Sequence, residues 1–297
     1  MRTAVLGATG FIGRALVPAL AEHHEVVAVS RSGNTPETRR VCARAADATN
    51  PTAVRRALEG VTVLYYLIHS LGSKNFEEVD RRAAQTVARE AARAEVSQIV
   101  YLGGLGDDAS DLSPHLRSRA ETATTLSAGD VPVTTLRAAI VVGRGSAGFE
   151  TIVALVDRLP LMIAPKWVSM PTQPIALADV VGYLAGVADH RETIGETFDL
   201  GGPEALTYRE MIELIGRLRG HEPRIIEVPV LSPRLSSYWL HLVTPVRASV
   251  ARPLVEGLRN RTVARETRIR ELVPFPPTPF DDAARGALRE EPDDARS

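Results

Sequence analysis

Three glycines near the amino terminus have the spacing of a turn that binds phosphate. Gly7, Gly10 and Gly13 follow a short apolar run and stand where a helical pattern begins. In such a turn the first glycine permits the tight bend, the second lets backbone N–H groups approach a pyrophosphate, and the third lets helix and strand pack closely. The amino end of the helix adds positive potential. The pattern predicts a nucleotide-binding turn with six contact residues: Gly7, Thr9, Gly10, Phe11, Ile12 and Gly13.

The residues after the second predicted strand indicate which nucleotide binds. An acidic side chain there would bind a ribose 2′-hydroxyl and repel a 2′-phosphate, but this chain has Ser30 and Arg31. A hydroxyl and a guanidinium suit a phosphate, so the sequence favours NADP(H) over NAD(H). Arg31 could instead be a solvated loop cation. Asp47 and Ala48, after the third predicted strand, are placed to contact the adenine, although Asp47 could equally be a turn residue.

A histidine ends the fourth predicted strand. Leu67, Ile68 and His69 occupy the place where a doubly wound sheet puts ligand-contacting groups, beyond the carboxyl ends of its strands. His69 is therefore a candidate contact to the nicotinamide half of the cofactor or to the substrate. A buried histidine that is hydrogen-bonded to backbone is the alternative. The remaining histidines show no ligand spacing with carboxylates or cysteine, so no metal site is predicted.

The elements that must position these residues alternate between short β-rich runs and helical patterns up to about residue 140. This alternation predicts an α/β fold, a Rossmann-like doubly wound parallel sheet with a smaller C-terminal substrate-side region. The predicted strands are 2–6, 25–29, 43–46, 61–67, 97–102 and 132–137. The predicted division is a nucleotide-binding domain at 1–203 with a substrate-side excursion at 146–172, a smaller region at 204–280, and a flexible charged tail at 281–297.

Composition narrows the class of protein. The net charge is −1 and basic residues are spread along the chain, which argues against nucleic acid as a partner. The single cysteine, Cys42, fits a reducing compartment, and no export signal is visible, so we expect a cytoplasmic protein. The apolar stretch 235–246 is too short and too polar to cross a bilayer. Peripheral membrane contact and a protein partner stay open.

Three motifs together resemble a known superfamily. They are GATGFIG at 7–13, YLGGLG at 101–106 and QPIALADVV at 173–181. The chain resembles short-chain dehydrogenases/reductases of the extended or atypical type. Within them it is most similar to the NmrA-like NAD(P)H-binding proteins and to NADPH-carrying accessory subunits of respiratory complex I. The resemblance implies a Rossmann-like fold and a nicotinamide cofactor.

The resemblance also implies a catalytic serine and a tyrosine four residues before a lysine, and this chain departs from that pattern. Its two lysines, Lys74 and Lys166, follow Ser70 and Met162 at that spacing. At the matching place the chain has His115 in place of the tyrosine and Arg119 in place of the lysine. An arginine keeps a cation near the cofactor's ribose, and an imidazole can donate a proton near neutral pH, although the neighbouring arginine would lower the pKa of His115. The alternative is a solvated helix with incidental polar residues.

Two further cofactor contacts follow from the resemblance. Gly103 occupies the region of the missing serine, and Ala139, after the sixth predicted strand, would lie beside the nicotinamide carboxamide.

Two functions fit these residues. The first is an NADP(H)-dependent oxidoreductase for a small-molecule electron acceptor such as a quinone or flavin, which needs hydride but little acid catalysis. Residues 149–174 would complete its pocket. The second is a redox sensor or assembly factor that binds NADP(H) without catalysis and contacts a protein partner.

Overall fold

The central element is a sheet of seven parallel strands. Their order across the sheet is β11 (Thr197–Leu200), β6 (Val133–Ala138), β5 (Gln98–Gly104), β4 (Val63–Tyr66), β1 (Arg2–Leu6), β2 (Glu25–Ser30) and β3 (Val41–Ala45). The computed structural model describes residues 1–70, 75–106, 112–228 and 260–289. Strand order reverses between β1 and β4, and in such sheets ligands bind beyond the carboxyl ends of the strands at this reversal. The α/β doubly wound class predicted from the sequence is therefore confirmed.

Strand and helix positions agree closely with the periodicity of the sequence. The first helix begins and ends at the predicted residues, and the six predicted strands are present with ends shifted by at most two residues. The strands are β1 Arg2–Leu6, β2 Glu25–Ser30, β3 Val41–Ala45, β4 Val63–Tyr66, β5 Gln98–Gly104, β6 Val133–Ala138, β7 Val141–Val142, β8 Leu161–Pro165, β9 Pro171–Thr172, β10 Ile175–Ala176, β11 Thr197–Leu200, β12 Leu206–Thr207 and β13 Arg224–Val228. The helices are α1 Phe11–Ala21, α2 Pro51–Ala57, α3 Phe76–Arg93, α4 Pro114–Ser127, α5 Ala147–Arg158, α6 Leu177–Gly186, α7 Tyr208–Arg219, α8 Ile269–Leu272 and α9 Phe280–Arg289.

Helices cover both faces of the sheet. On one face α2, α3 and α4 bury a core that includes Val54, Val87 and Leu126. On the other face α1 and α6 bury a second core that includes Leu16 and Leu184. Parallel strands buried on both faces are expected to be apolar throughout, as the four buried residues of β4 are.

A third apolar cluster lies beside the sheet. It joins α5, from the predicted substrate-side excursion, to α7 and α9. Helix α7 begins at the predicted capping box, in which the Thr207 hydroxyl accepts from the Glu210 N–H and the Glu210 carboxylate accepts from the Thr207 N–H.

The charged tail predicted from residue 281 onward is helical over its first part. Helix α9 buries Phe280 and Ala284, one turn apart, in the third cluster. A sequence with few large apolar groups forms this helix because the few it has share one face and find a partner surface. Residues 290–297, and the apolar stretch 235–246, lie outside the described residues. Among the helices the structure describes, none is both long and apolar enough to cross a membrane.

Candidate nucleotide-binding site

The glycine turn between β1 and α1 is built around close backbone approaches. Gly7 has a φ of +93°, which side-chain-bearing residues rarely adopt. A Cβ on Gly13 would lie 2.2 Å from the Gly7 carbonyl oxygen, so only glycine lets α1 begin against the turn. The first helical hydrogen bond runs from Arg14 N–H to Gly10 C=O at 3.0 Å. Helix geometry therefore leaves the N–H groups of residues 11–13 without intrahelical partners, as an anion site requires.

The crevice beside this turn has two further walls. The carboxyl end of β4 forms one, because a Cβ on Gly7 would lie 3.0 Å from the Leu67 carbonyl oxygen. Ile68 and His69 continue from that point and are partly exposed. The residue after β7 forms the other, since a Cβ on Gly143 would lie 3.3 Å from the Phe11 ring at the start of α1. Thr9 is exposed at the turn and Ile12 is partly buried.

Ser30 and Arg31 stand at the carboxyl end of β2, neighbouring β1 in the sheet. The Ser30 hydroxyl oxygen accepts from the Gly33 N–H at 3.0 Å and so shapes the turn that follows. Arg31 is exposed, and within the described part of the chain its guanidinium has no hydrogen-bond partner. A cation on a fixed turn at this edge can accept a phosphate.

Asp47 is committed to its own turn. Its carboxylate accepts from the Thr49 hydroxyl at 2.7 Å and from the Thr49 N–H at 2.8 Å. These bonds lower the pKa of Asp47, with smaller contributions from the charges of Arg31 and Arg82. The turn alternative for Asp47 thus has geometric support. Ala48 is buried beside it.

His69 and His115 meet at the carboxyl edge of the sheet, although they lie on different elements. His69 follows β4, and His115 is the second residue of α4, which begins with a Ser113 cap and Pro114. The His69 Nε2 and His115 Nδ1 atoms are 3.2 Å apart. The other His69 nitrogen, Nδ1, lies 2.9 Å from the Asp80 carboxylate on α3. We call Asp80, His69 and His115 the imidazole chain.

The surroundings of both histidines lower their pKa values, which favours the neutral imidazoles. Burial, with smaller contributions from the nearby His69 and Arg119, lowers the pKa of His115 to about 3. Burial also lowers the pKa of His69, although the hydrogen bond that His69 donates to the Asp80 carboxylate opposes this shift. The amino end of α4 disfavours positive charge in the same way. Arg119 lowers the pKa of His115, as expected from the sequence. That His115 donates a proton to the substrate stays a prediction, which this low pKa does not favour.

Arg119 is held against β5. Its guanidinium donates to the Leu102 carbonyl and lies 5.0 Å from the centre of the Tyr101 ring. Its positive charge therefore lies near the imidazole chain, while one guanidinium N–H stays hydrogen-bonded to the sheet. Gly103 is the second-last residue of β5, and Ala139 follows β6, both at the carboxyl edge of the sheet.

Asp80 was missed by sequence reasoning. It lies on α3 four residues after Phe76 and three before Ala83, in the stripe that packs on the sheet, and it is 2% exposed. A carboxylate on the apolar face of an amphipathic helix needs a partner. A carboxylate in the apolar stripe of α3 was the feature of the sequence that could have identified Asp80 as a site residue.

One cavity lies away from the glycine turn. It has a volume of about 530 Å³ and lies beside α4, between that helix and the ends of β5, β6 and β11. Its walls include Gly104, Leu116, Arg119 and Arg137. None of residues 149–174, which were expected to complete a pocket, lines this cavity. Among the described residues, no group of three His, Cys, Asp or Glu side chains is arranged to hold a metal ion.

Comparison with known proteins agrees with this geometry. A family described as NAD(P)H-binding matches residues 7–152. The NADH dehydrogenase [ubiquinone] 1 alpha subcomplex subunit 9 of Arabidopsis thaliana, a mitochondrial protein, is 23% identical over 239 residues, covering 76% of this chain. The match spans 60% of that protein's length. A ceramide reductase of Caulobacter vibrioides is 26% identical over 243 residues, covering 76% of this chain and 73% of the reductase.

A solved structure has the same fold. The NADPH-dependent quinone oxidoreductase of Escherichia coli, in complex with NADPH, superposes with a TM-score of 0.76 at 20% identity, covering 97% of this chain and 99% of the oxidoreductase. The sheet order, the glycine turn at its reversal and the family match agree. Residues 7–152 therefore carry an NAD(P)H-binding domain.

Proposed function

We propose that the protein is an NADP(H)-dependent oxidoreductase that transfers hydride to a quinone, a flavin or a similar conjugated acceptor. The observation that carries this proposal is the placement of the imidazole chain. His69 follows directly on residues that line the crevice of the glycine turn, so a dinucleotide with its phosphates on α1 would extend its reactive end toward His69 and His115.

The preference for NADP(H) rests on charge at the adenosine end. Arg31 is exposed at the end of β2, with a shaped turn beneath it. Asp47, the nearby carboxylate, is already bonded within its own turn. A 2′-phosphate would thus meet a free guanidinium fork.

The choice of a conjugated acceptor follows from the protonation state of the site. A neutral His115 supplies no acid, and the chain lacks the tyrosine-lysine pair. A quinone accepts hydride into a conjugated ring and takes its proton from water, so positioning supplies most of the rate. The fold is shared with an NADPH-dependent quinone oxidoreductase, which supports this choice.

The test is to mix the protein with NADPH and a panel of quinones, flavins and aldehydes and to follow the absorbance of the reduced nicotinamide. We expect turnover with quinones, and His115→Ala should lower kcat/KM by roughly 10- to 100-fold through lost positioning. The control is His23→Ala, which removes an exposed histidine at the end of α1. Absence of turnover with every acceptor would refute the oxidoreductase.

A second candidate is a non-catalytic NADP(H) sensor or assembly factor. The absence of an acid at His115, together with the similarity to a protein named as a subunit of NADH dehydrogenase, favours it. NADPH binding without turnover, unchanged by His115→Ala, would select this function.

A further inference from the structure

The imidazole chain has only one consistent arrangement of protons. As a carboxylate, Asp80 can only accept a hydrogen bond, so His69 Nδ1 must carry the proton between them. In a neutral imidazole the second nitrogen then carries no proton, so His69 Nε2 accepts a hydrogen bond through its lone pair. His115 Nδ1 must therefore donate across the 3.2 Å contact, which leaves His115 Nε2 without a proton.

We infer that Asp80 is a positioning residue that fixes this polarity, so that His115 offers a lone pair to the crevice and the site takes a hydroxyl group of its ligand. His115 is partly exposed, and in the described part of the chain its Nε2 has no protein partner. A hydroxyl donates to this atom, whereas a carbonyl oxygen would face it lone pair to lone pair. The group bound at this atom is therefore a hydroxyl of the cofactor or of the reduced product, not a carbonyl oxygen of the proposed quinone acceptor.

The identity of the ligand rests on the proposed function. A nicotinamide dinucleotide supplies ribose hydroxyls, and an alcohol or reduced product supplies its own. Both have the same chemistry at His115, and binding measurements distinguish them.

One substitution at Asp80 should reverse the direction of the hydrogen bonds in the imidazole chain, because a backbone N–H fixes how the new side chain is oriented. The Ser70 N–H donates to Asp80 Oδ1 at 3.0 Å, and His69 faces the other oxygen, Oδ2. In Asp80→Asn the Ser70 N–H holds the amide oxygen, so the amide NH2 faces His69. A donor at that position forces the His69 proton to Nε2, and His115 must then carry its proton on Nε2 as well. The near-isosteric substitution thus turns the end of the chain from an acceptor into a donor.

Nitrogen-detected NMR of the histidine rings, without ligand, tests this directly. We expect both His69 and His115 to be neutral with the proton on Nδ1 in the natural protein, and on Nε2 in Asp80→Asn. Glu77→Gln is the matched control, because it removes an exposed carboxylate from the same helix and should leave both rings unchanged. A proton on His115 Nε2 in the natural protein would overturn the inference, and this measurement needs no variant to fold.

Binding then identifies the hydroxyl. If it belongs to the cofactor, Asp80→Asn should weaken NADP+ and NADPH binding by about 2- to 10-fold, because the hydroxyl must turn from donor to acceptor and its proton then loses this partner. If it belongs to the substrate, the NADPH affinity should stay the same while inhibition by hydroquinones and aliphatic alcohols weakens by a similar factor. Unchanged binding of all of these would overturn the hydroxyl site. A protein that shows no turnover but has the expected tautomers would refute the proposed function and leave the polarity standing.

Discussion

Replacing Gly13 by alanine should damage the nucleotide-binding turn. The new Cβ would lie 2.2 Å from the Gly7 carbonyl oxygen, 2.8 Å from the Ala8 Cα and 2.9 Å from the Ala8 carbonyl carbon. All three are backbone atoms, so no side chain can rotate away. Ordinary carbon contacts lie at about 3.5–4.0 Å, which means that α1 and the turn must separate by about 1 Å.

The expected cost combines two opposing effects. Overpacking of this kind costs about 1–3 kcal/mol, while alanine in a helix gains up to about 1 kcal/mol over glycine. We expect the free energy of unfolding to fall by about 1–2 kcal/mol. The displaced N–H groups no longer converge on the phosphates, and losing one charge-assisted hydrogen bond of about 1.5–3 kcal/mol lowers NADPH affinity by about 10- to 100-fold.

Urea denaturation and calorimetric titration with NADPH measure both effects. The matched control is Gly286→Ala in α9, where a Cβ meets nothing within 4 Å. This variant should gain up to about 1 kcal/mol in stability and bind NADPH as the natural protein does. A Gly13→Ala protein with natural NADPH affinity would refute the reasoning on the turn.

Three further predictions follow from single side chains. Arg31→Asp should reverse the preference for NADPH over NADH in binding assays, while Arg56→Asp, on the exposed face of α2, should not; equal preference in all three proteins would remove Arg31 from the site. The free energy of unfolding should fall as pH drops below 6.5, because His115 takes up a proton in the unfolded state but stays neutral in the folded state down to about pH 3. The slope is at most about 1.4 kcal/mol per pH unit, and His115→Gln should reduce it in urea melts at several pH values. Arg137→Met should lower stability by about 3 kcal/mol, because Asp199, whose side chain is fully buried, loses a partner at 2.7 Å; a change below about 1 kcal/mol would contradict this.

Local sequence features predict the elements that present the site. Periodicity predicts α1 to the residue and the central strands to within two, because helix faces and buried strands leave their repeat in the chain. The glycine turn is equally local, since Gly7 and Gly13 are required by backbone geometry within one loop.

Local sequence features could not predict the imidazole chain. His69 follows β4 and Asp80 lies on α3, and His115 joins them because β4 and β5 are neighbours in the sheet. Arg119 illustrates the same point, because its spacing from His115 predicted a shared face, but not that its guanidinium would bind the Leu102 carbonyl. Helix α9 depends on burial of Phe280 against a distant cluster, so the composition of the tail alone was misleading.

Calorimetric titration with NADPH, NADP+, NADH and NAD+ tests the central claim, that the turn at residues 7–13 holds the phosphates of a nicotinamide dinucleotide. We expect NADPH and NADP+ to bind more tightly than the other two, and Gly13→Ala to weaken all four. Absence of heat with every nucleotide, or binding that Gly13→Ala leaves unchanged, would contradict the account.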